Sequence, residues 1–458
     1  METAAPIQAV APAVAPTVTP DARGDATAAV WPMWQRVLFR FFFVYWLLQI
    51  TPWAWFSDLP GASFIIGYYE RLVDWAVYAS NARFFHVRDK LIPTNGSGDT
   101  SYAWTQLWLY LSLALIVCVA WSVIDRRRHA YQSLSYWLRM IVRYYVASAA
   151  LGYGIIKLFG LQMGFPTTSQ LSTPLGDLLP MRLSWLFIGY SMPYQVFSGV
   201  METVAGLLLL YRPTITAGLL AATGAFLNVV MINLSYDVPV KLYSSHLLAA
   251  CLFLLVMDAP RLLNLFVLNR PVPATRLYDK RFTVPWQIWG SRAVKAFFVF
   301  KLIYAPFVQS YERFQTARAP LKQGPFRTGV YAVSRYVVNG LEVPAGAADT
   351  LRWSDVIFDS NGAGSINTRD QFFQQRYRRG YFRFKPDTAT RTAAVWKIST
   401  IPGDSTFLFT MRYEIPDTST IRLHMRIRND TVNVDLARTA RHFQLTERQF
   451  HWLSEYNR

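Results

Sequence analysis

Seven stretches of this chain stay apolar for about the length a helix needs to cross a bilayer. No other feature restricts the fold as strongly. A hydrocarbon core takes about 20 apolar residues, and any backbone inside it must satisfy its own hydrogen bonds. The windows are Trp34–Phe56, Tyr102–Ile124, Tyr136–Gly160, Tyr190–Tyr211, Thr214–Leu234, Val240–Met257 and Val294–Val308, the last being the shortest. Between the first two, Phe64–Tyr78 has one apolar face and is expected to lie along the membrane surface.

The charge pattern agrees with this reading. The chain carries 46 Lys and Arg against 28 Asp and Glu, a net +18, with the charges crowded between the windows. Such basicity fits anionic lipid headgroups better than a nucleic-acid partner, and none is expected. Arg36, Arg40, the "DRRRH" run from Asp125 to His129, Arg212, Arg270, Arg276, Lys280, Arg281 and Arg292 fall on one side if seven spans are counted. The positive-inside rule makes that side cytoplasmic. Loops Ser57–Ser101, Leu161–Gly189 and Ser235–Pro239 then lie outside, as does the C-terminal region. The location expected is a bacterial-type inner membrane.

Past the seventh window the hydrophobic period changes. Phe407, Phe409, Met411 and Tyr413 alternate with polar residues, as do Ile421, Leu423, Met425 and Ile427. After Asn429-Asp430 the alternation resumes at Val432, Val434 and Leu436, which is a hairpin signal. "GYFRFK" and "AAVWKIST" add strands, and Thr446–Glu455 is expected to be helical. "SNGAGS" at Ser360–Ser365 lacks the Gly-Lys-Ser/Thr ending of a phosphate loop and reads as a surface turn. The expected fold is an α-helical integral membrane protein of about seven spans with a C-terminal soluble antiparallel β domain. Its parts are an Ala/Pro-rich disordered tail (1–29), two helices with an interfacial one (30–138), a four-helix core (139–258), a basic linker (259–293), a seventh helix (294–308) and the β domain (309–458).

Polar groups inside a span are expensive and require a partner or a wet cavity. Glu202 lies near the middle of the fourth window, beyond the reach of snorkelling, and shares a face with Tyr194 and Ser198 at four-residue spacing. Lys157 sits near the outer end of the third window, where it either snorkels or pairs. Asn228 and Asn233 occupy the outer half of the fifth window and can join helices. Asp237 and Pro239 read as the cap and first-turn proline of the sixth helix, with Tyr236 beside them and Lys241 placed for an i,i+4 pair. His246 lies deeper on the same helix. All these groups fall in one leaflet, with Glu202 as the floor, so an outward-facing polar cavity is expected. Glu202 and His246 are its candidate proton-handling groups, and Lys157 or Lys241 would steady negative charge. Cys118 and Cys251 lie singly in apolar windows, and the histidines have no metal or haem spacing. No metal is expected.

Two of these stretches carry a resemblance. "RMIVRYYVASAALGYGIIKLF" followed by "METVAGLLLLYRPTITAGLLAATGAFLNVVMIN" resembles the DoxX family over about Arg139–Met257. The shared pattern is a Gly-x-x-Lys helix end, a Glu-x-x-x-Gly helix and a small-residue helix after it. The resemblance implies a membrane four-helix bundle associated with thiosulfate or quinone redox chemistry. A more distant similarity is to vitamin K-dependent carboxylase-like membrane domains. The expected function is binding of a small apolar or amphipathic molecule, with quinone as the implied cofactor. The alternative is a non-catalytic assembly or scaffold subunit whose β domain docks a membrane or periplasmic protein. A transporter ranks third, since no repeated half or matching pair of broken helices is present.

Overall fold

The computed structural model describes residues 30–272, 282–318, 324–346, 352–360, 362–374, 377–398, 405–448 and 450–455. The expected N-terminal tail lies outside these residues, as do Arg276, Lys280 and Arg281 of the basic linker.

The first part is helical throughout. Its elements are α1 (Met33–Ile50), α2 (Ala62–Ser80), α3 (Ser101–Ile124), α4 (Gln132–Leu158), α5 (Thr168–Leu171), α6 (Pro180–Tyr190), α7 (Met192–Leu210), α8 (Ile215–Ser235), α9 (Lys241–Val256) and α10 (Ala259–Phe266). Then α11 (Pro285–Val299) runs through a π turn at Phe300–Tyr304 into α12 (Ala305–Arg318). Among the described residues five helices are long and apolar enough to cross a membrane, or six if the bent pair α9–α10 is one span, against the seven expected, and α4, over the expected third window, is not one of them. The last is a continuous 34-residue helix, Pro285–Arg318, so the expectation of a short Val294–Val308 segment is corrected. Lys295, Lys301 and Pro306 interrupt the apolar window without ending the helix. Pro306 has no N–H to give and crowds the carbonyl four residues back. The π turn lies just upstream, where such a lost bond is absorbed.

Helix α4 is the axis of the bundle. It buries Val142, Val146, Ala150, Leu151, Gly154 and Ile155, and it packs against α7, α9, α1 and the π turn. Its closest partner is α7, whose buried stripe is Gln195, Gly199, Glu202, Gly206 and Leu209. Small residues let the two backbones meet: a Cβ on Gly199 would sit 2.8 Å from the Gly154 carbonyl oxygen and from Lys157 Cβ. Close approach gains dispersion contacts between the two helices.

The two ends of the bundle are tied separately. At one end Trp31 N–H donates to the His129 carbonyl, Arg36 to that of Arg128 and Arg40 to those of Asp125 and to the Tyr131 hydroxyl. At the other end Gly98 N–H donates to the Pro239 carbonyl, and Lys301 reaches Asp58 at 2.7 Å.

The C-terminal part is a closed antiparallel barrel. Its strands are β1 (Gly329–Val338), the short β2 (Leu341–Glu342), β3 (Trp353–Phe358), β4 (Ala363–Thr368), β5 (Arg379–Asp387), β6 (Thr392–Ile398), β7 (Ser405–Glu414), β8 (Thr420–Ile427) and β9 (Asp430–Arg438). Each long strand pairs with the next, and β1 closes on β9, which makes eight barrel strands with β2 as a spur on β1. Closure removes the exposed edges. The interior is filled by Trp353, Val356, Phe358, Ile366, Phe382, Val395, Phe409, Met411 and Leu423 around a void of about 10 Å³. That space is too small for a ligand.

Three local expectations change. The hairpin joining β8 to β9 turns at Arg428-Asn429, one residue before the expected Asn429-Asp430, because Ile427 pairs with Asp430. "SNGAGS" is only partly a turn, since Ala363, Gly364 and Ser365 belong to β4. The expected closing helix is reduced to α13 (Gln444–Glu447).

Candidate functional site

The site begins where α4 and α7 touch. Lys157 ends α4 and Glu202 lies at the middle of α7, both buried, and their side chains form a direct ion pair. Lys157 therefore pairs rather than snorkels. The glycines make this possible: Gly154 and Gly199 bring the helices close enough for Lys157 Nζ to reach Glu202 Oε1. Among the described residues the second oxygen, Oε2, is buried without a hydrogen-bond partner, as is the Thr203 hydroxyl, which faces Gly154. A buried acceptor left unmatched in an apolar bundle is costly, and it is the kind of group a ligand hydrogen would satisfy.

A row of tyrosines leads away from the pair. Tyr153, one turn before Lys157 on α4, lies within electrostatic range of Glu202. Its ring centroid is 6.2 Å from that of Tyr243 on α9. Tyr45, on α1, meets His246 Nε2 at 2.6 Å. His246 Nδ1 lies 2.6 Å from the Leu242 carbonyl oxygen, so Nδ1 donates there. In the neutral ring Nε2 is then an acceptor for the Tyr45 hydroxyl. Both ring nitrogens are thus engaged, and His246 is not in direct contact with Glu202. Nothing in the sequence separates Tyr45, Tyr153 and Tyr243 from the chain's other tyrosines.

The remaining candidates divide. Asn233 is buried and donates to Ser244 Oγ at 2.9 Å, joining α8 to α9. Asn228 and Tyr236 are exposed. Tyr194 is exposed as well, off the buried α7 stripe, which runs through Gln195 and Gly199 to Glu202. The expected shared face of Tyr194 and Glu202 is corrected by that register. Lys241 pairs with Asp237 at 2.7 Å, as the i,i+4 spacing suggests. The cap of α9, however, comes from elsewhere. Asp99 Oδ2 accepts from Lys241 N–H at 2.8 Å and Oδ1 from Leu242 N–H at 2.9 Å. Asp237 instead takes a left-handed turn conformation at φ 50° with its carboxylate in the open. A cap donated by a loop distant in sequence leaves no local signal.

A second polar cluster holds the barrel against the bundle. Asp359, just past β3, accepts from Ser169 N–H at 3.0 Å and from the Ser169 hydroxyl at 2.7 Å. Ser365 donates to Ser169 Oγ at 2.9 Å and receives Arg379 Nε at 2.8 Å. Arg379 also pairs with Asp355. All of Ser169, Asp359, Ser365 and Arg379 are buried. Burial raises the Asp359 carboxyl above its ordinary value, although the bonds from Ser169 oppose the rise. Arg182 to Tyr377 and Arg378 to Asp177, each at 3.0 Å, add a rim to this contact.

No group of three or more His, Cys, Asp or Glu among the described residues could hold a metal ion. A concavity of about 460 Å³ runs along Ala296, Val299, Phe300, Ile303, Tyr304 and Phe307, all on the last long helix and none on α4, α7 or α9.

No family model matches the chain, and no solved structure matches it. A curated relative does: the uncharacterized protein YwoB of Bacillus subtilis (strain 168), 32% identical over 124 residues, which are 27% of this chain and 79% of that protein. On that identity and coverage, the chain belongs to the family of the uncharacterized protein YwoB.

Proposed function

We propose that the helical part is a DoxX-like membrane bundle that binds a small apolar or amphipathic molecule beside the Lys157–Glu202 pair. The observation that carries this reading is Glu202 itself, buried, neutralised on one oxygen by Lys157 and unmatched on the other. A ligand hydroxyl or protonated carbonyl-type oxygen would complete the carboxylate, and the Tyr153–Tyr243 rings would flank an apolar body. Quinols, whose hydroxyls donate, have this chemistry and are the reduced form of the class the DoxX resemblance implies. Tyr153 is partly exposed, which suits entry from the lipid side between α4 and α9.

The sidedness proposed is a cytoplasmic N-terminus and an extracytoplasmic barrel. The loop between α4 and α7 holds the barrel through Ser169 and Arg182, whereas Arg36, Arg40 and the Asp125–His129 run gather at the opposite end of the helices. Native mass spectrometry of protein purified into nanodiscs tests the binding site. The wild type is expected to retain a small molecule after lipid exchange and Glu202→Gln to lose it. Equal retention by both proteins, or none by either, would refute the site.

A further inference from the structure

We propose that the C-terminal segment at Phe450, Trp452 and Leu453 is an anchor lying in the outer interface of the bilayer, continuing an apolar rim begun by α6. The inference rests on the membrane reading above. The three side chains are 75%, 92% and 82% exposed. The Phe450 and Trp452 rings meet edge to face with centroids 5.0 Å apart. Three large apolar groups open to solvent within four residues form a patch with a purpose rather than scattered surface residues.

Their position is fixed by α6. The Tyr190 hydroxyl, at the end of that helix, donates to the Arg448 carbonyl at 3.5 Å. The Arg448 guanidinium reaches forward to Ser454 Oγ at 3.4 Å, so the segment bearing the three apolar groups is folded back toward the same point. Trp452 follows Arg448 by four residues, so its Cα is held within about 14 Å of it. Leu179, capping α6, and Leu183 and Phe187 within it are exposed at four-residue spacing, while the helix buries Ser184 and Gly189. Met192 and Tyr194 extend the exposed row into the first turn of α7, which is apolar enough to cross a membrane.

A line of uncovered apolar groups thus runs from the tail to the mouth of a span. Continuity with the span favours lipid over a second copy of the chain as the occupant. So does the composition: a Trp and a Phe preceded by Arg441 and Arg448 combine an apolar body with cations for headgroup phosphates. The patch would hold the barrel at the membrane by its own terminus, on the same end of the barrel as the Ser169 cluster, since Gly329 of β1 pairs with Phe358 and Tyr331 with Arg438.

The test uses the full chain in vesicles of phosphatidylcholine and phosphatidylglycerol, with an environment-sensitive fluorophore on Trp452→Cys, Phe197→Cys or Arg422→Cys. Cys118 and Cys251 are both buried, and labelling of the parent chain sets the background. With a quencher carried on the lipid, the label at 452 is expected to lose more than half its emission, as is the label at 197 within α7, while the label at 422 on β8 keeps its own. Quenching at 197 without quenching at 452 would overturn the anchor and leave the membrane reading intact. A label at 452 shielded from both lipid-borne and aqueous quenchers would overturn it in favour of contact between copies. Absence of quenching at 197 as well would refute the membrane reading and the anchor with it.

Discussion

Lys157 and Glu202 illustrate how a residue's neighbourhood decides its meaning. Each was legible in the sequence as a charge where charges are expensive, and their depth was enough to group them. Their pairing was not legible, because it depends on how closely two helices approach. Removing one partner leaves the other buried and uncompensated, which costs roughly 3–5 kcal/mol. Lys157→Met and Glu202→Leu are each expected to lower thermal stability in detergent by that order, and the double variant to recover most of the loss; additive losses would show that the two do not act as a pair. Asp359 makes a different residue-scale case, since its role appears only once the barrel meets α5. Its folded-state carboxyl is raised, so the docked protein holds that proton more tightly than the free chain does. Docking is therefore strongest below the ordinary aspartate range and weakens as pH rises through the raised value. Amide exchange over residues 167–173 is expected to quicken across that window, and Asp359→Asn to flatten the dependence.

Elements were readable where period and burial coincide. The β7, β8 and β9 alternation gave strands whose register pairs Leu423 with Val434 and Ile421 with Leu436. β1 and β3 escaped for a physical reason: a bulge between Val333 and Arg335, and another between Trp353 and Asp355, break the two-residue period. β4, "AGSINT", has too little apolar character to announce itself. Among the helices, α4 carries Arg139, Arg143 and Lys157 and still forms the centre of the bundle, because its other face is small and apolar. The α4–α7 contact makes a direct prediction. A methyl group on Gly199 would collide with backbone of α4, so Gly199→Ala is expected to cost about 1–3 kcal/mol by overpacking. Gly224, on α8 with open space around it, is the control and should tolerate alanine within experimental error. Equal effects at the two positions would mean that helix propensity, not close approach, governs both.

At the scale of the whole molecule, two units of opposite construction meet through the segment between α4 and α7, at Ser169 of α5 and Arg182 of α6. The helical unit keeps an unmatched acceptor in its interior, whereas the barrel is packed solid and offers its surface only. That contrast directs the search for a ligand to the bundle. The division into helical and β parts was plain from the sequence, because the hydrophobic period changes once along the chain. The closure of the barrel and its contact with Ser169 were not, since both rest on residues far apart in sequence. The account stands or falls on whether Glu202 meets a ligand. The direct measurement is a titration of a short-chain quinol, kept reduced, into purified protein in nanodiscs, comparing wild type with Glu202→Gln and His246→Ala. A charge-assisted hydrogen bond is worth about 1.5–3 kcal/mol, and each 1.4 kcal/mol is about tenfold in affinity. Glu202→Gln is therefore expected to weaken binding by tenfold or more and His246→Ala by less, and unchanged affinity in both variants would contradict the account.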